Sequence, residues 1–174
     1  RTRRLADIGG RPAPSIADLA KSARCIILAV FNTDQVEDVV ENTLLPALGG
    51  ASGKIVLCMS TCDPDRVAAL AGRVVPRGIR YLDVPVSGTS DQVRRGDGVA
   101  LIGGDPSIMN EVKDVFDALF VRRFHVGKVG DGGRAKLAVN LILGLNRLAL
   151  AEGLVFAERL GLDPAGFLDV ARGS

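Results

Sequence analysis

The sequence predicts an α/β fold built on a doubly wound, mostly parallel sheet, and three observations carry that expectation. Residues 25–31, 54–59 and 79–84 form short apolar runs with little polar alternation, as strands buried on both faces do. Stretches with helical spacing of apolar residues separate these runs, and sheets whose strands alternate with helices in this way are mostly parallel. Two of the helices open on the same device, Asp63-Pro64 and Asp105-Pro106: the aspartate caps the helix and the proline takes a first position whose N–H has no partner to lose.

Taken in order, the chain opens on basic residues, Arg1, Arg3 and Arg4, and enters a helical pattern through Ala6 with no starting methionine or strand. A segment is expected to precede it. Ser15 with Asp18 three residues on is a cap signature for a short helix to about Ser22. After the strand at 25–31, Asn32 to Asp34 interrupt the apolar run. From Gln35, apolar positions Val36, Val39, Val40, Leu44 and Leu48 then recur at helical spacing until Gly49-Gly50. The strand at 54–59 leads through Ser60-Thr61-Cys62 into a helix from Pro64 to about Ala71. The strand at 79–84 continues into Pro85-Val86-Ser87-Gly88-Thr89, and residues 99–102 form another strand before Gly103-Gly104. A helix from Pro106 to about Leu119 and a last strand at 121–126 follow. A glycine-rich approach then opens into one long apolar helix reaching about Leu160.

Composition narrows the function. A 47% hydrophobic and 24% charged chain of 174 residues is an ordinary globular composition, and a net charge of +2 gives no electrostatic case for nucleic acid or an anionic membrane. Cys25, Cys58 and Cys62 are an odd set, two of them in apolar runs, which points to a reduced, cytoplasmic protein. With His125 the only histidine, no zinc ligand set can be assembled, and no metal is expected. The longest apolar run, 141–145, falls far short of a bilayer span, so no membrane segment is expected.

In parallel sheets ligands bind beyond the carboxyl ends of strands, which singles out the loops at 31–33, 60–62 and 87–89. Lys136 and Asn140 stand at i and i+4 on the long helix, so they share one face. Leucines, valine and isoleucine surround them, and a lysine carried into such a setting is a candidate general acid/base. Gly130-Asp131-Gly132-Gly133-Arg134-Ala135 matches the G-x-G-x-x-[GA] dinucleotide pattern literally, yet the helix after it returns to no strand. The match is rejected as a phosphate loop, and the glycines are read as a close approach of backbone to a cofactor or partner. His125, ending an apolar strand, reads as structural.

Two separated motifs, Asp83-Val84-Pro85-Val86-Ser87-Gly88 and Gly130-x-Gly132-x-x-x-Lys136-x-x-x-Asn140, with the Gly103-Gly104 turn between them, resemble the β-hydroxyacid dehydrogenases. That family includes 3-hydroxyisobutyrate dehydrogenase and the glyoxylate and tartronate semialdehyde reductases. The resemblance implies a Rossmann-like NAD(P)-binding domain over residues 1–127, lacking its first strand-helix-strand and phosphate loop. Residues 128–174 would be an interdomain helix starting an all-α domain. By the same resemblance Lys136 would be the general acid/base and Asn140 would orient the substrate. Ser87, Gly88 and Thr89 would hold the carboxylate of a small β-hydroxyacid or semialdehyde. Arg1, Thr2, Val30, Phe31, Asn32 and Thr61 would meet the cofactor, NADP or NAD, with the arginine weakly favouring NADP. Thr89 stands where the family often has glycine, and Val139 where it often has asparagine. The alternatives within the resemblance are an imine reductase, against which Lys136 argues, and a non-catalytic NADP-binding scaffold. The many apolar residues between 145 and 160 imply a homo-oligomer formed through the long helix.

Overall fold

The computed structural model describes residues 2–50 and 53–174, the side chains of Thr2 and Arg3 excepted. Helix α1 (Thr2–Asp7) precedes α2 (Ile16–Ser22), whose cap is the expected one: Ser15 accepts the Asp18 N–H at 3.1 Å. Strand β1 (Cys25–Leu28) gives way to α3 (Thr33–Asp38), a π turn at Val39–Leu44 and α4 (Leu45–Leu48). The sequence reads this stretch as one regular helix. Pro46 explains the wider turn: it offers no N–H and its ring would crowd a normal preceding turn, so Leu45 donates five residues back, to Val40. Gly49, left-handed at φ 64°, ends the run as expected.

Strand β2 (Ile55–Cys58) leads to α5 (Pro64–Val74), where Asp63 accepts the Asp65 and Arg66 N–H groups at 2.9 and 3.0 Å. Strand β3 (Arg80–Asp83) is followed by β4 (Val86–Ser87), α6 (Ser90–Arg94) and β5 (Val99–Gly103). Helices α7 (Pro106–Glu111) and α8 (Lys113–Leu119) divide at Val112 what the sequence reads as one helix. Strand β6 (Arg122–Gly127), α9 (Asp131–Arg159) and α10 (Pro164–Gly173) complete the chain. Asp163-Pro164 opens α10 with the same cap-and-proline device, Asp163 accepting the Gly166 N–H at 2.7 Å.

The sheet runs β1-β2-β3-β5-β4, with β6 on β5. β1, β2 and β3 pair in parallel, as do β5 and β6, but β5 lies antiparallel to both β3 and β4. The sheet is therefore mixed. The one helix between Asp83 and Val99, α6, has five residues, too short to carry the chain back along the sheet as a parallel crossover does, and β4 before it already pairs antiparallel with β5. β5 must come back beside the strand that fed it. Helices cover both faces of the sheet, and β2 shows the alternation that results. Val56 and Cys58 join the cluster holding Val36, Leu70 and Tyr81, while Ile55 and Leu57 join the one holding Ile102, Val112 and Phe116.

The chain divides into two compact units, Arg1–Lys136 and Leu137–Ser174. The first contains the sheet and both clusters. The second consists of the remainder of α9 and α10, and Ala157 is its one buried residue among those described. By length and apolar composition α9 is also long enough to cross a bilayer, although the polar residues that punctuate it leave no long apolar run in the sequence.

Candidate active site

The parallel register makes Leu28, Cys58 and Asp83 neighbours, so the segments after β1, β2 and β3 emerge along one edge of the sheet. Ser60 joins the first two. Its hydroxyl accepts the Val30 N–H at 2.9 Å and donates to the Val30 carbonyl at 2.7 Å, which fixes the turn from β1 into α3. Asn32 caps α3 by accepting the Gln35 N–H at 3.0 Å, and the Gln35 side chain in turn accepts the Phe31 N–H at 2.8 Å. Thr33, buried, accepts the Asp63 N–H at 3.0 Å and ties this loop to the cap of α5.

With these bonds made, the loop leaves Phe31 90% exposed, and Thr61, on the segment after β2, is exposed as well. An aromatic face kept in water beyond the carboxyl end of a parallel strand suits a flat, partly apolar ligand, and a nicotinamide dinucleotide is of that kind. Arg1 and the side chain of Thr2, expected to meet the cofactor, lie outside the described residues.

The Ser87-Gly88-Thr89 segment follows the extension of β3 past the sheet edge. Ser87 is half-buried on β4, paired with Val99, and Gly88 sits at φ 137°, a region that disfavours any side chain. Thr89 already serves the fold, because its hydroxyl accepts the Gln92 N–H at 3.3 Å while Gln92 accepts the Thr89 N–H at 2.7 Å, a capping box for α6.

The start of α9 is seated on this same edge. Gly133 donates its N–H to Asp83 Oδ2 at 2.8 Å, and a Cβ on Gly132 would lie 2.7 Å from the Leu101 carbonyl oxygen. On the other side a Cβ on Gly130 would lie 2.8 Å from the Pro64 carbonyl oxygen, at the first turn of α5. The sequence reads these glycines as approaching a cofactor or partner; the approach observed is to the chain's own backbone. Lys136, one turn into the helix, is 9% exposed and has no ionic partner among the described residues. Burial holds its pKa below the ordinary 10.5. Asn140, a turn further along α9, is exposed and belongs to the second unit. His125 is structural, its Nε2 2.8 Å from the Gly104 carbonyl oxygen. No group of three or more metal-binding side chains occurs among the described residues.

Sequence reasoning singled out the loops that hold Ser60 and Thr33 and quoted Asp83 in a motif, but gave none of the three a role. Ser60 and Thr33 follow or flank apolar strands, a signal available in the sequence, but their partners are about thirty residues away and set by the fold.

Residues 1–127 match the model of the NAD binding domain of 6-phosphogluconate dehydrogenase, and residues 130–174 match the NAD-binding segment of NADP-dependent 3-hydroxyisobutyrate dehydrogenase. The chain belongs to the β-hydroxyacid dehydrogenase family. The 2-hydroxy-3-oxopropionate reductase of Escherichia coli K12 is 33% identical over 162 residues, covering 92% of this chain and 55% of the relative. The L-threonate dehydrogenase of Cupriavidus necator is 30% identical over 169 residues, covering 97% of this chain and 57% of its own length. The structure of Mycobacterium tuberculosis 3-hydroxyisobutyrate dehydrogenase with L-serine superposes with a TM-score of 0.88 at 25% identity, covering 99% of this chain and 58% of that one. The chain thus spans little more than half the length of these β-hydroxyacid dehydrogenase relatives. NAD or NADP is the cofactor of the family, whose members include hydroxyacid dehydrogenases and reductases.

Proposed function

We propose that this chain carries the cofactor edge and the proton-transfer lysine of a cytoplasmic oxidoreductase acting on a small β-hydroxyacid or semialdehyde. Val30, Phe31, Asn32 and Thr61 would hold the cofactor, with Arg1 and Thr2 near its ribose. Bound there, the nicotinamide supplies or accepts the hydride. Ser87, Gly88 and Thr89 bind the substrate carboxylate through a hydroxyl and backbone N–H groups, and Asn140 orients the substrate. In oxidation the neutral Lys136 amine accepts the hydroxyl proton; in reduction the Lys136 ammonium donates a proton to the carbonyl oxygen. We read the apolar surface of the second unit as a contact between copies of the protein and not as a membrane span, and we assign the protein no nucleic-acid partner.

The observation that carries the reading is Lys136 itself: a buried lysine without an ionic partner among the described residues, its proton loosened by burial, at the start of a helix seated on the ligand edge of the sheet. The test is turnover with NADP and NAD against a panel of small β-hydroxyacids and semialdehydes, comparing the parent enzyme with Lys136→Ala. Reduction or oxidation by the parent and none by the variant supports the reading. Cofactor binding with no turnover by the parent on any substrate would favour a scaffold.

A further inference from the structure

Asp83 is 2% exposed at the end of β3. Burial raises its pKa, against the lowering effect of the Gly133 and Gly130 N–H groups, so the fold keeps an acidic side chain where an apolar one would cost less. What the carboxylate does is hold backbone. Its Oδ2 accepts the Gly133 N–H at 2.8 Å, a side-chain bond from the sheet to the first turn of α9.

The surfaces around that bond touch directly. A Cβ on Gly132 would lie 2.9 Å from both the Asp83 carbonyl oxygen and Oδ2, and a Cβ on Gly103 would lie 2.5 Å from the Lys128 carbonyl oxygen and 2.9 Å from the Gly132 nitrogen. The first turn of α9 therefore rests on the ends of β3 and β5 with no side chain between. Lys136 follows Gly133 by three residues, roughly 300° round the helix and ~4.5 Å along it, and helical side chains lean back toward the N-terminus. No ion pair among the described residues holds its amine, so the helix backbone that carries the side chain and the packing around its buried stem decide where that amine stands.

We infer that Asp83 is a positioning residue for Lys136: by accepting the Gly133 N–H it fixes the first turn of α9 on the sheet, and so fixes where the proton-transferring amine stands. This rests on the role proposed above for Lys136. The chemistry requires an acceptor at this position and not a charge. Asparagine can serve; alanine cannot.

The experiment is steady-state kinetics on the active enzyme, with kcat expressed per cofactor-binding site from a fluorescence titration. Asp83→Ala is expected to lower kcat by on the order of 10- to 100-fold, with cofactor dissociation constant and substrate KM within about twofold of the parent, because displacement of the amine affects the reacting geometry and not ground-state binding. Asp83→Asn should stay within about threefold of the parent in kcat. Gly132→Ala keeps both the Asp83 carboxyl group and Lys136 in the sequence but forces the helix start off its seat, and should lower kcat per occupied site at least about tenfold; it decides the matter where Asp83→Ala does not fold. Retained kcat in Asp83→Ala or in Gly132→Ala, or an Asp83→Asn defect as deep as that of Asp83→Ala, overturns the inference. Full turnover by Lys136→Ala would instead remove the proton-transfer role on which it rests, and the two failures are read from different variants.

Discussion

The two units of this chain use similar residues to opposite effect. In Arg1–Lys136, leucine, isoleucine and valine from strands and helices close into two clusters in which Tyr81, Phe116 and Leu57 are sealed from water. In Leu137–Ser174, an equally apolar set remains on the surface: Leu145, Leu148, Phe156 and Leu160 are all more than half exposed. The change comes within a single helix. Gly132, Gly133 and Lys136 at its start are buried, whereas residues 141–152 are exposed at every position. Apolar composition thus creates a demand for burial, and only layered partners meet it. The proton-transfer proposal for Lys136 belongs to the satisfied region and the oligomeric proposal to the unsatisfied one.

The comparison breaks most sharply at Lys136. Lys136→Ala is expected to lower kcat by on the order of 10²-fold or more, the range for losing a positioned acid or base. The pH profile sharpens it. Since burial lowers the folded-state pKa, the fraction of neutral amine rises with pH through a value below 10.5. Oxidation should accelerate through that inflection and then level off, and reduction should slow across the same range. A profile with its inflection at or above the ordinary lysine value would show that burial is not tuning the reacting group.

On the exposed side, the second unit should drive self-association. Replacing Leu148 and Phe156 together with serine is expected to weaken the dimer at least about tenfold, since each exchange removes roughly 1.5–3 kcal/mol of apolar burial from a formed interface. Light scattering across a dilution series measures this. A parent protein that stays monomeric at micromolar concentration would remove the idea, while an unchanged melting temperature in the variant would show that these side chains do not serve the fold of a single copy.

A smaller effect is expected at the substrate loop. Ser87→Ala should raise KM for carboxylate substrates roughly tenfold with kcat nearly kept, because a hydroxyl that binds ground and transition states alike contributes to both. A marked loss of cofactor affinity instead would move this loop to the cofactor site. The smallest effect tests the satisfied core from within. The Tyr81 hydroxyl is enclosed, and the polar group against it is the Cys58 thiol, a weak hydrogen-bonding partner. Tyr81→Phe should therefore change thermal stability by no more than about 1 kcal/mol in either direction, because little bonding is lost with the hydroxyl. A larger loss of stability would show that the bond to the thiol holds the core together.

Elements whose causes are local can be read from the residues alone. Ser15 and Asp18, Asp63-Pro64 and Asp105-Pro106 cap their helices as expected, because a cap and its N–H groups lie within three residues of one another. Apolar runs mark β2, β3 and β5 because burial on both faces leaves no room for polar alternation, and they mark β1 too, although Ile27 on its other face is 42% exposed. Lys136 and Ser87 are visible through motif spacing, and the family comparisons agree with the resemblance those motifs carry. The packed fold settled the rest. It set the antiparallel return of β5, the break at Val112 and the short helix α6, none of which has an apolar period long enough to read. It also decided that Asp83 holds Gly133 fifty residues away, and that the glycines before Lys136 meet backbone and not ligand. A side chain's type is written in the sequence. Its partner across the sheet depends on register and crossover, and those are settled only when the whole layer packs.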